Sequence, residues 1–261
     1  MIDALAFLGK GRRPATADLY GHDAETLLEE MDHKGVREAV VHHNLSWLSH
    51  PFDGNAETMR LIAGKPRLRP CWALLSKASR EYGSYEAYIE EAVAQGVRAF
   101  SFFPRFGALP AAYDTSLREV VRAGTFAPLE ERGLPLFIDF SGDPGAGVDC
   151  TDYEALRFLL GAHPRLPVIL CEYRLRAGNR VFPGVMDDHP NLHLETSGLW
   201  NYRSLEFVAH HWGAERLIYG SRTPWRSTGL ALGMVTMAAL TARERALILA
   251  GNIRRLMEGA R

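Results

Sequence analysis

The stretch Arg216-Leu-Ile-Tyr-Gly-Ser-Arg222-Thr-Pro-Trp225 decides how the rest of the chain is interpreted. Its apolar run ends in a Gly-Ser pair, which predicts a buried strand over Leu217–Ser221 that leads into a turn. In barrels of parallel strands, functional side chains lie just past the carboxyl ends of the strands. Arg222 occupies such a position, so a cation is the first candidate functional group.

Seven more apolar runs precede this strand, and helical patterns separate them. This alternation is typical of βα units and a parallel sheet, and eight units predict an α/β protein with a (β/α)8 TIM barrel in one domain spanning residues 1–261. The predicted strands are Ile2–Leu8, Glu38–His43, Leu68–Leu75, Arg98–Phe103, Pro135–Phe140, Pro167–Glu172, Leu192–Ser197 and Leu217–Ser221. The predicted helices are Ala24–Lys34, Ala56–Ala63, Tyr85–Gln95, Leu117–Arg132, Tyr153–Ala162, Arg176–Asp188, Leu205–Trp212 and, with a capping box at Thr241, Thr241–Gly259.

Composition limits the classes of partner. A formal net charge of -1 over 261 residues gives no overall field that would attract nucleic acid or an anionic membrane, so neither is expected. No run approaches the ~20 apolar residues of a membrane span, and Asp3 inside the first apolar run argues against a signal peptide. The cysteines Cys71, Cys150 and Cys171 have no metal-type spacing. They predict reduced thiols in a cytoplasmic protein.

Short segments along the whole chain resemble the amidohydrolase-related family, which includes aminocarboxymuconate-semialdehyde decarboxylase-like hydrolases and decarboxylases. They fall in the family's order and at predicted element boundaries, and this resemblance implies the same barrel and an oligomeric assembly. The segments are Ile2-Asp3, Gly35-Val-Arg-Glu-Ala-Val-Val41, Gly96-Val-Arg-Ala-Phe100, Glu131-Arg-Gly-Leu-Pro-Leu136, Pro167-Val-Ile-Leu170, Asn191-Leu-His-Leu-Glu-Thr-Ser-Gly198, Gly213-Ala-Glu-Arg-Leu-Ile-Tyr-Gly-Ser221 and Gly251-Asn-Ile-Arg-Arg-Leu256.

The resemblance also implies where a divalent metal would bind, and none of those positions carries the family's residue. The family has an HxH pair on strand one, a histidine at the ends of strands five and six, and an aspartate at the end of strand eight. The corresponding residues here are Leu5, Phe7, Asp139, Glu172 and Arg222. No cofactor is therefore expected, and we interpret Arg222 as a fixed cation that replaces the metal and pairs with Asp139 or Glu172.

A second interpretation keeps a metal on new ligands. Asp139, Glu172 and Glu195 close three successive strands, and three carboxylates suit a hard ion such as Mg²⁺, Mn²⁺ or Ca²⁺. A nearby Arg222 would repel such an ion. This carboxylate site remains the alternative.

Two further sets of residues complete the predicted site. One member of the pair His42-His43 must face inward by strand alternation, and a histidine with an ordinary pKa of ~6.5 could act as general acid beside Asp139 or Glu172 as base. Aromatic and cationic side chains at strand ends suit a small aromatic or unsaturated carboxylate as ligand. The predicted substrate-binding residues are Trp72, Phe103, Arg105, Arg174, Glu195, Ser197, Trp200 and Trp225.

Two classes of function follow from these residues. In the first, the protein is a divergent hydrolase or a decarboxylase-like lyase, with Arg222 stabilising a developing oxyanion. In the second, it is a catalytically inactive barrel that binds a small metabolite or a partner.

Overall fold

Eight parallel strands follow one another in chain order around a barrel. A computed structural model describes residues 1–10, 22–104, 116–140, 151–174 and 179–259. Backbone bonds between the first and last strands close the barrel, with Ala4 N–H donating to Tyr219 O and Phe7 N–H to Thr223 O. The strands are β1 (Ile2–Leu8), β2 (Glu38–His43), β3 (Leu68–Ala73), β4 (Ala99–Phe102), β5 (Leu136–Ile138), β6 (Val168–Leu170), β7 (Leu192–Glu195) and β8 (Leu217–Ile218). The predicted barrel is confirmed.

Helices cover the outer face of this barrel. They are α1 (Ala24–Lys34), α2 (Asn44–Leu48), α3 (Pro51–Ile62), α4 (Tyr85–Ala94), α5 (Leu117–Arg122), α6 (Ala127–Arg132), α7 (Tyr153–Ala162), α8 (Phe182–Asp188), α9 (Ser204–Trp212), α10 (Thr228–Met237), α11 (Ala242–Ala246) and α12 (Asn252–Glu258). None of these described helices is long and apolar enough to cross a membrane.

The helix prediction over Leu117–Arg132 was wrong, and helices α2 and α10 were not predicted. The single helix expected over Leu117–Arg132 is two helices, because Gly124 adopts a left-handed conformation with φ of 73° between them. Helix α10 was not predicted, since its sequence is apolar on every side and contains two glycines, which hides the helical period.

Two of the sequence segments that resemble the family, residues 213–221 and 251–256, contact each other near the start of β8. Asn252 is fully buried, and its side-chain amide donates to the carbonyls of Ala214 and Leu217 at 2.8 Å each. These bonds hold α12 against the start of β8. The predicted capping box at Thr241 is confirmed at the start of α11, with Glu244 as its second member.

Ring contacts show which side chains point into the barrel. His42 of β2 packs against Phe7 of β1 and Phe137 of β5, with ring centroids 5.4 Å and 5.1 Å apart. Only side chains directed inward can meet across a barrel in this way. On the opposite face, Trp72 of β3 packs on Tyr88 of α4 at 5.3 Å. Trp72 therefore lies between sheet and helix and does not face the barrel mouth, contrary to its predicted role in substrate binding.

Candidate active site

A buried ion-pair centre lies at the carboxyl end of the barrel. Arg222, which follows β8, is 0% exposed, and its guanidinium contacts carboxylates that follow β5 and β6. Its Nη2 donates to Asp139 Oδ2 at 2.7 Å, and its Nε lies 3.1 Å from Glu172 Oε2. The structure thus brings together the three residues that the sequence predicted, and Arg222 pairs with both acids.

The surroundings hold Arg222 in its charged form. Burial alone would lower the pKa of the guanidinium, but Asp139 and Glu172 beside it raise that pKa above its ordinary value. The guanidinium carbon also lies 5.7 Å from the ring centre of Phe7, whose π face favours a cation. A permanent positive charge is therefore part of the barrel interior.

Glu172 is shared among three guanidinium groups. Its Oε1 accepts hydrogen bonds from Arg174 Nη2 at 2.8 Å and from Arg226 Nη2, while its Oε2 faces Arg222. Together with Asp139, the centre holds three guanidinium groups against two carboxylates. Among these five groups the positive charges outnumber the negative charges by one, and charges in a buried site are costly unless they are balanced.

Trp200 lies beside the two outer arginines. It is 50% exposed, and the guanidinium carbons of Arg174 and Arg226 lie 5.4 Å and 6.0 Å from its ring. The Nε atoms of both arginines are buried and have no hydrogen-bond partner among the described residues. Arg226 is not among the predicted substrate-binding residues. The contact to Glu172 makes it part of the centre.

Glu195 does not face a ligand, although it was predicted to bind substrate. It is fully buried, and its two carboxyl oxygens accept from Ser197 N–H at 2.6 Å, Ser197 Oγ–H at 2.7 Å and Glu172 N–H at 3.2 Å. Burial raises the pKa of Glu195 to about 8. Ser197, also predicted to bind substrate, is likewise occupied by this contact.

Asp3 was missed as a site residue. Its carboxyl oxygens accept from Ser221 N–H at 2.9 Å and Ser221 Oγ–H at 2.5 Å, next to Arg222. Burial raises the pKa of Asp3. The available signal was an acid inside an otherwise apolar strand, but only closure of β1 on β8 brings it to this turn.

The two histidines differ in direction. His42 points into the barrel, and its imidazole Nε2 lies 3.4 Å from Ala4 O. His43 points outward, where its Nδ1 accepts from Leu45 N–H and its ring packs so closely on Gly9 that a Cβ there would lie 2.5 Å from it. Burial lowers the pKa of His42 to about 3 and that of His43 to about 4. Both imidazoles are neutral at pH 7, so the expected general acid with an ordinary pKa is absent from this pair.

The remaining residues that were predicted to bind substrate lie in different environments. Trp225 donates from Nε1 to Asn44 Oδ1 at 3.1 Å and lies edge-on to Trp47, with ring centroids 6.4 Å apart. Phe103 follows β4 and is almost wholly buried in the core. Arg105 lies outside the described residues. The mouth therefore retains Arg174, Trp200 and Trp225 from the predicted set.

The described residues do not fit a bound metal. Leu5 and Phe7 offer no donor atom, and the Arg222 guanidinium occupies the space between Asp139 and Glu172. Glu195, the third member of the alternative carboxylate site, accepts three bonds from the chain itself. No group of three or more His, Cys, Asp or Glu side chains is arranged to hold an ion within the part of the chain that the structure describes.

The fold and site define a (β/α)8 barrel with ionisable groups at the carboxyl ends of its strands, the place where barrel enzymes carry their active sites. A family model described as amidohydrolase matches residues 66–258. The chain belongs to the amidohydrolase family.

Solved structures share this fold at low sequence identity, whereas none of the curated proteins compared with the chain matches it. The 5-carboxyvanillate decarboxylase from Sphingomonas paucimobilis superposes with a TM-score of 0.76 and 14% identity over 99% of this chain and 98% of the other. A 2,6-dihydroxybenzoate decarboxylase bound to 2,6-dihydroxybenzoate gives 0.73 and 18% over 99% and 100%. A dihydroxybenzoic acid decarboxylase from Polaromonas with manganese and 2-nitroresorcinol gives 0.70 and 13% over 99% and 97%.

Proposed function

We propose that the protein is a hydrolase or decarboxylase-like enzyme that acts on a small carboxylate, with Arg222 in place of the metal ion. The observation that carries this proposal is the buried contact of Arg222 with Asp139 and Glu172. A guanidinium held between two carboxylates supplies a fixed positive charge near the reacting atoms, as a divalent ion would.

The outer arginines favour a ligand with a carboxylate. Arg174 and Arg226 each present a buried Nε–H that has no partner among the described residues, and the half-exposed Trp200 gives an apolar surface between their guanidinium groups and solvent. A carboxylate would balance the excess positive charge. The structural neighbours named as decarboxylases of dihydroxybenzoate and carboxyvanillate support a flat aromatic acid as the first substrate to test.

Asp139 is our candidate general base. Asp139 and Glu172 both contact the Arg222 guanidinium, and Glu172 also contacts the guanidinium groups of Arg174 and Arg226. In hydrolysis, Asp139 would take a proton from the water that attacks the substrate carbonyl carbon, and Arg222 would stabilise the negative charge that develops on the carbonyl oxygen. Because the family's metal ligands are missing, no step of this scheme passes through a metal.

The test is a panel of small aromatic carboxylates, with 2,6-dihydroxybenzoate, 5-carboxyvanillate and their amides as substrates. Carbon dioxide and ammonia release are measured with and without EDTA. Turnover that EDTA leaves unchanged and that Arg174→Gln abolishes supports the proposal. As a matched control, Arg157→Gln removes an arginine of an exposed pair with Asp188 and should leave turnover unchanged.

A non-catalytic binding protein is the second candidate. The neutral state of His42 and His43 favours it, because the predicted histidine acid is lost. Binding of an aromatic acid in calorimetry without turnover of any panel member would identify this second function. A metal-dependent enzyme would instead lose its activity in EDTA.

A further inference from the structure

The two central residues of the ion pair both have strained backbones. Among the described non-glycine residues, four have a positive φ, and two of them are Glu172 at 49° and Arg222 at 58°. For a residue with a Cβ this left-handed conformation is unfavourable. Neighbouring contacts must therefore hold each of these turns in place.

A carboxylate from the opposite end of the chain holds the Arg222 turn. Asp3 accepts from the N–H and the hydroxyl of Ser221, and the Ser221 hydroxyl in turn accepts from Thr223 N–H at 3.0 Å. Asp3 also accepts from Leu5 N–H, while Leu5 O accepts from Arg222 N–H at 2.7 Å. These bonds reach the residues on both sides of Arg222 and its own backbone.

A second carboxylate holds the Glu172 turn in the same way. Glu195 Oε2 accepts directly from Glu172 N–H, and both Glu195 oxygens bind Ser197. Gly198, just beyond, packs so tightly on this turn that a Cβ would lie 2.4 Å from Tyr173 O and 2.6 Å from the carbonyl carbon of Glu172. Neither Asp3 nor Glu195 forms an ion pair with an arginine of the centre among the described contacts.

We propose that Asp3 and Glu195 are positioning residues, which fix the left-handed turns at Arg222 and Glu172 and so set the geometry of the guanidinium between its two acids. The proposal rests on the proposed function only in that this centre acts on a ligand. Its structural part concerns the turns and can be tested without any substrate.

The test follows the Nε–H signal of Arg222 in ¹⁵N NMR spectra, assigned by its loss in Arg222→Met. In Asp3→Ala and Glu195→Ala, exchange of this proton with water should be about tenfold faster or more, since each change leaves buried N–H groups without acceptors and frees a turn. The affinity for benzoate, measured by calorimetry, should fall in both variants if the proposed function is correct.

The matched control is Asn252→Ala, which removes two buried hydrogen bonds at the other end of β8. It should lower Tm but leave Arg222 exchange unchanged. If Asp3→Ala and Glu195→Ala lower Tm and leave the Arg222 signal as slow as in Asn252→Ala, the positioning role is refuted. If either fails to fold, Ser221→Ala and Ser197→Ala decide the question, because each removes one hydroxyl contact and should speed exchange by a smaller factor.

Absence of benzoate binding in the unaltered protein would count against the proposed function alone. The exchange rates of the Arg222 Nε–H proton would still test the positioning role.

Discussion

The interior of the barrel has two unlike halves. The side chains that β1 and β2 direct inward, Leu5, Phe7 and His42, are apolar or neutral, whereas the ends of β5 to β8 carry Asp139, Glu172, Glu195 and Arg222. Leu5 and Phe7 offer no atom that could bind a metal, whereas the other half contains the Arg222 guanidinium.

This difference teaches that a buried cation needs fitting neighbours in both halves of the barrel. Asp139 and Glu172 contact the Arg222 guanidinium in the charged half. Phe7 of the neutral half lies next to the same guanidinium and favours its charge through the ring face.

Removing the cation should have the largest effect on this arrangement. Arg222→Met removes the buried guanidinium that Asp139 and Glu172 share, and we expect the free energy of unfolding in urea to fall by about 3–5 kcal/mol. Adding Asp139→Asn should restore part of that loss. The exposed pair Arg122–Glu119 provides the control, because Arg122→Met should cost less than about 1 kcal/mol. Equal losses of unfolding free energy in Arg222→Met and Arg122→Met would show that the buried ion pair contributes no more to stability than the exposed pair.

A substitution at Gly220 tests how tightly the Glu195 carboxyl group is packed. A Cβ on Gly220 would lie 2.5 Å from Glu195 Oε1, so Gly220→Ala should destabilise the protein by about 1–3 kcal/mol in urea unfolding. Gly161, in α7, has no atom within 4 Å of its Cβ position. Gly161→Ala should be neutral or slightly stabilising, and a similar loss in both variants would contradict the account.

The pH dependence of stability should reveal the protonated state of Glu195. Its pKa in the folded protein is about 8, above the ordinary 4.5, so the folded state binds the proton more tightly and stability falls as pH rises between these values. Below pH 6.5 the buried histidines oppose this trend, because their lowered pKa values make stability rise with pH. Between pH 6.5 and 8 the decrease due to Glu195 should approach about 1.4 kcal/mol per pH unit.

Glu195→Gln removes this titration. Urea unfolding at several pH values should therefore show a smaller decrease above pH 6.5 in the variant. Identical slopes in the two proteins would show that Glu195 is ionised in the folded state.

The smallest effect is expected at Trp200, the half-exposed side chain beside Arg174 and Arg226. Trp200→Leu should weaken benzoate binding by a few-fold, with a change in unfolding free energy below about 1 kcal/mol, because half of the ring is exposed. Phe207 is also partly exposed but packs on His211 and Trp212 of α9. Phe207→Leu should leave benzoate affinity unchanged in calorimetry. Unchanged affinity in Trp200→Leu would remove Trp200 from the binding site.

The eight strands could be predicted because each is a short apolar run between a helix-ending glycine or proline and a turn. The meeting of Asp139, Glu172 and Arg222 was expected from the family resemblance, which places all three at the family's positions at the ends of strands five, six and eight. Adjacent residues were harder to assign. Alternation gives two faces but does not say which is inner, so His42 and His43 stayed unresolved and Trp72 was placed on the wrong side.

The positioning contacts could not be predicted from the sequence. Asp3 and Ser221 are 218 positions apart, and only barrel closure joins them. Glu195 ends its strand, and its oxygens accept from the backbone of Glu172 and Ser197. Such bonds depend on the left-handed backbone at Glu172 and Arg222. This conformation cannot be predicted from the residue types, because glutamate and arginine rarely adopt it.

Metal content tests the central claim most directly. The protein is purified without chelators, dialysed against zinc and then manganese, passed through a desalting column, and analysed by inductively coupled plasma mass spectrometry. If Arg222 has replaced the metal ion, each preparation should hold far less than one ion per chain, and Arg222→Asp with Leu5→His and Phe7→His should raise that content. Near-stoichiometric zinc or manganese in the unaltered protein would contradict the account.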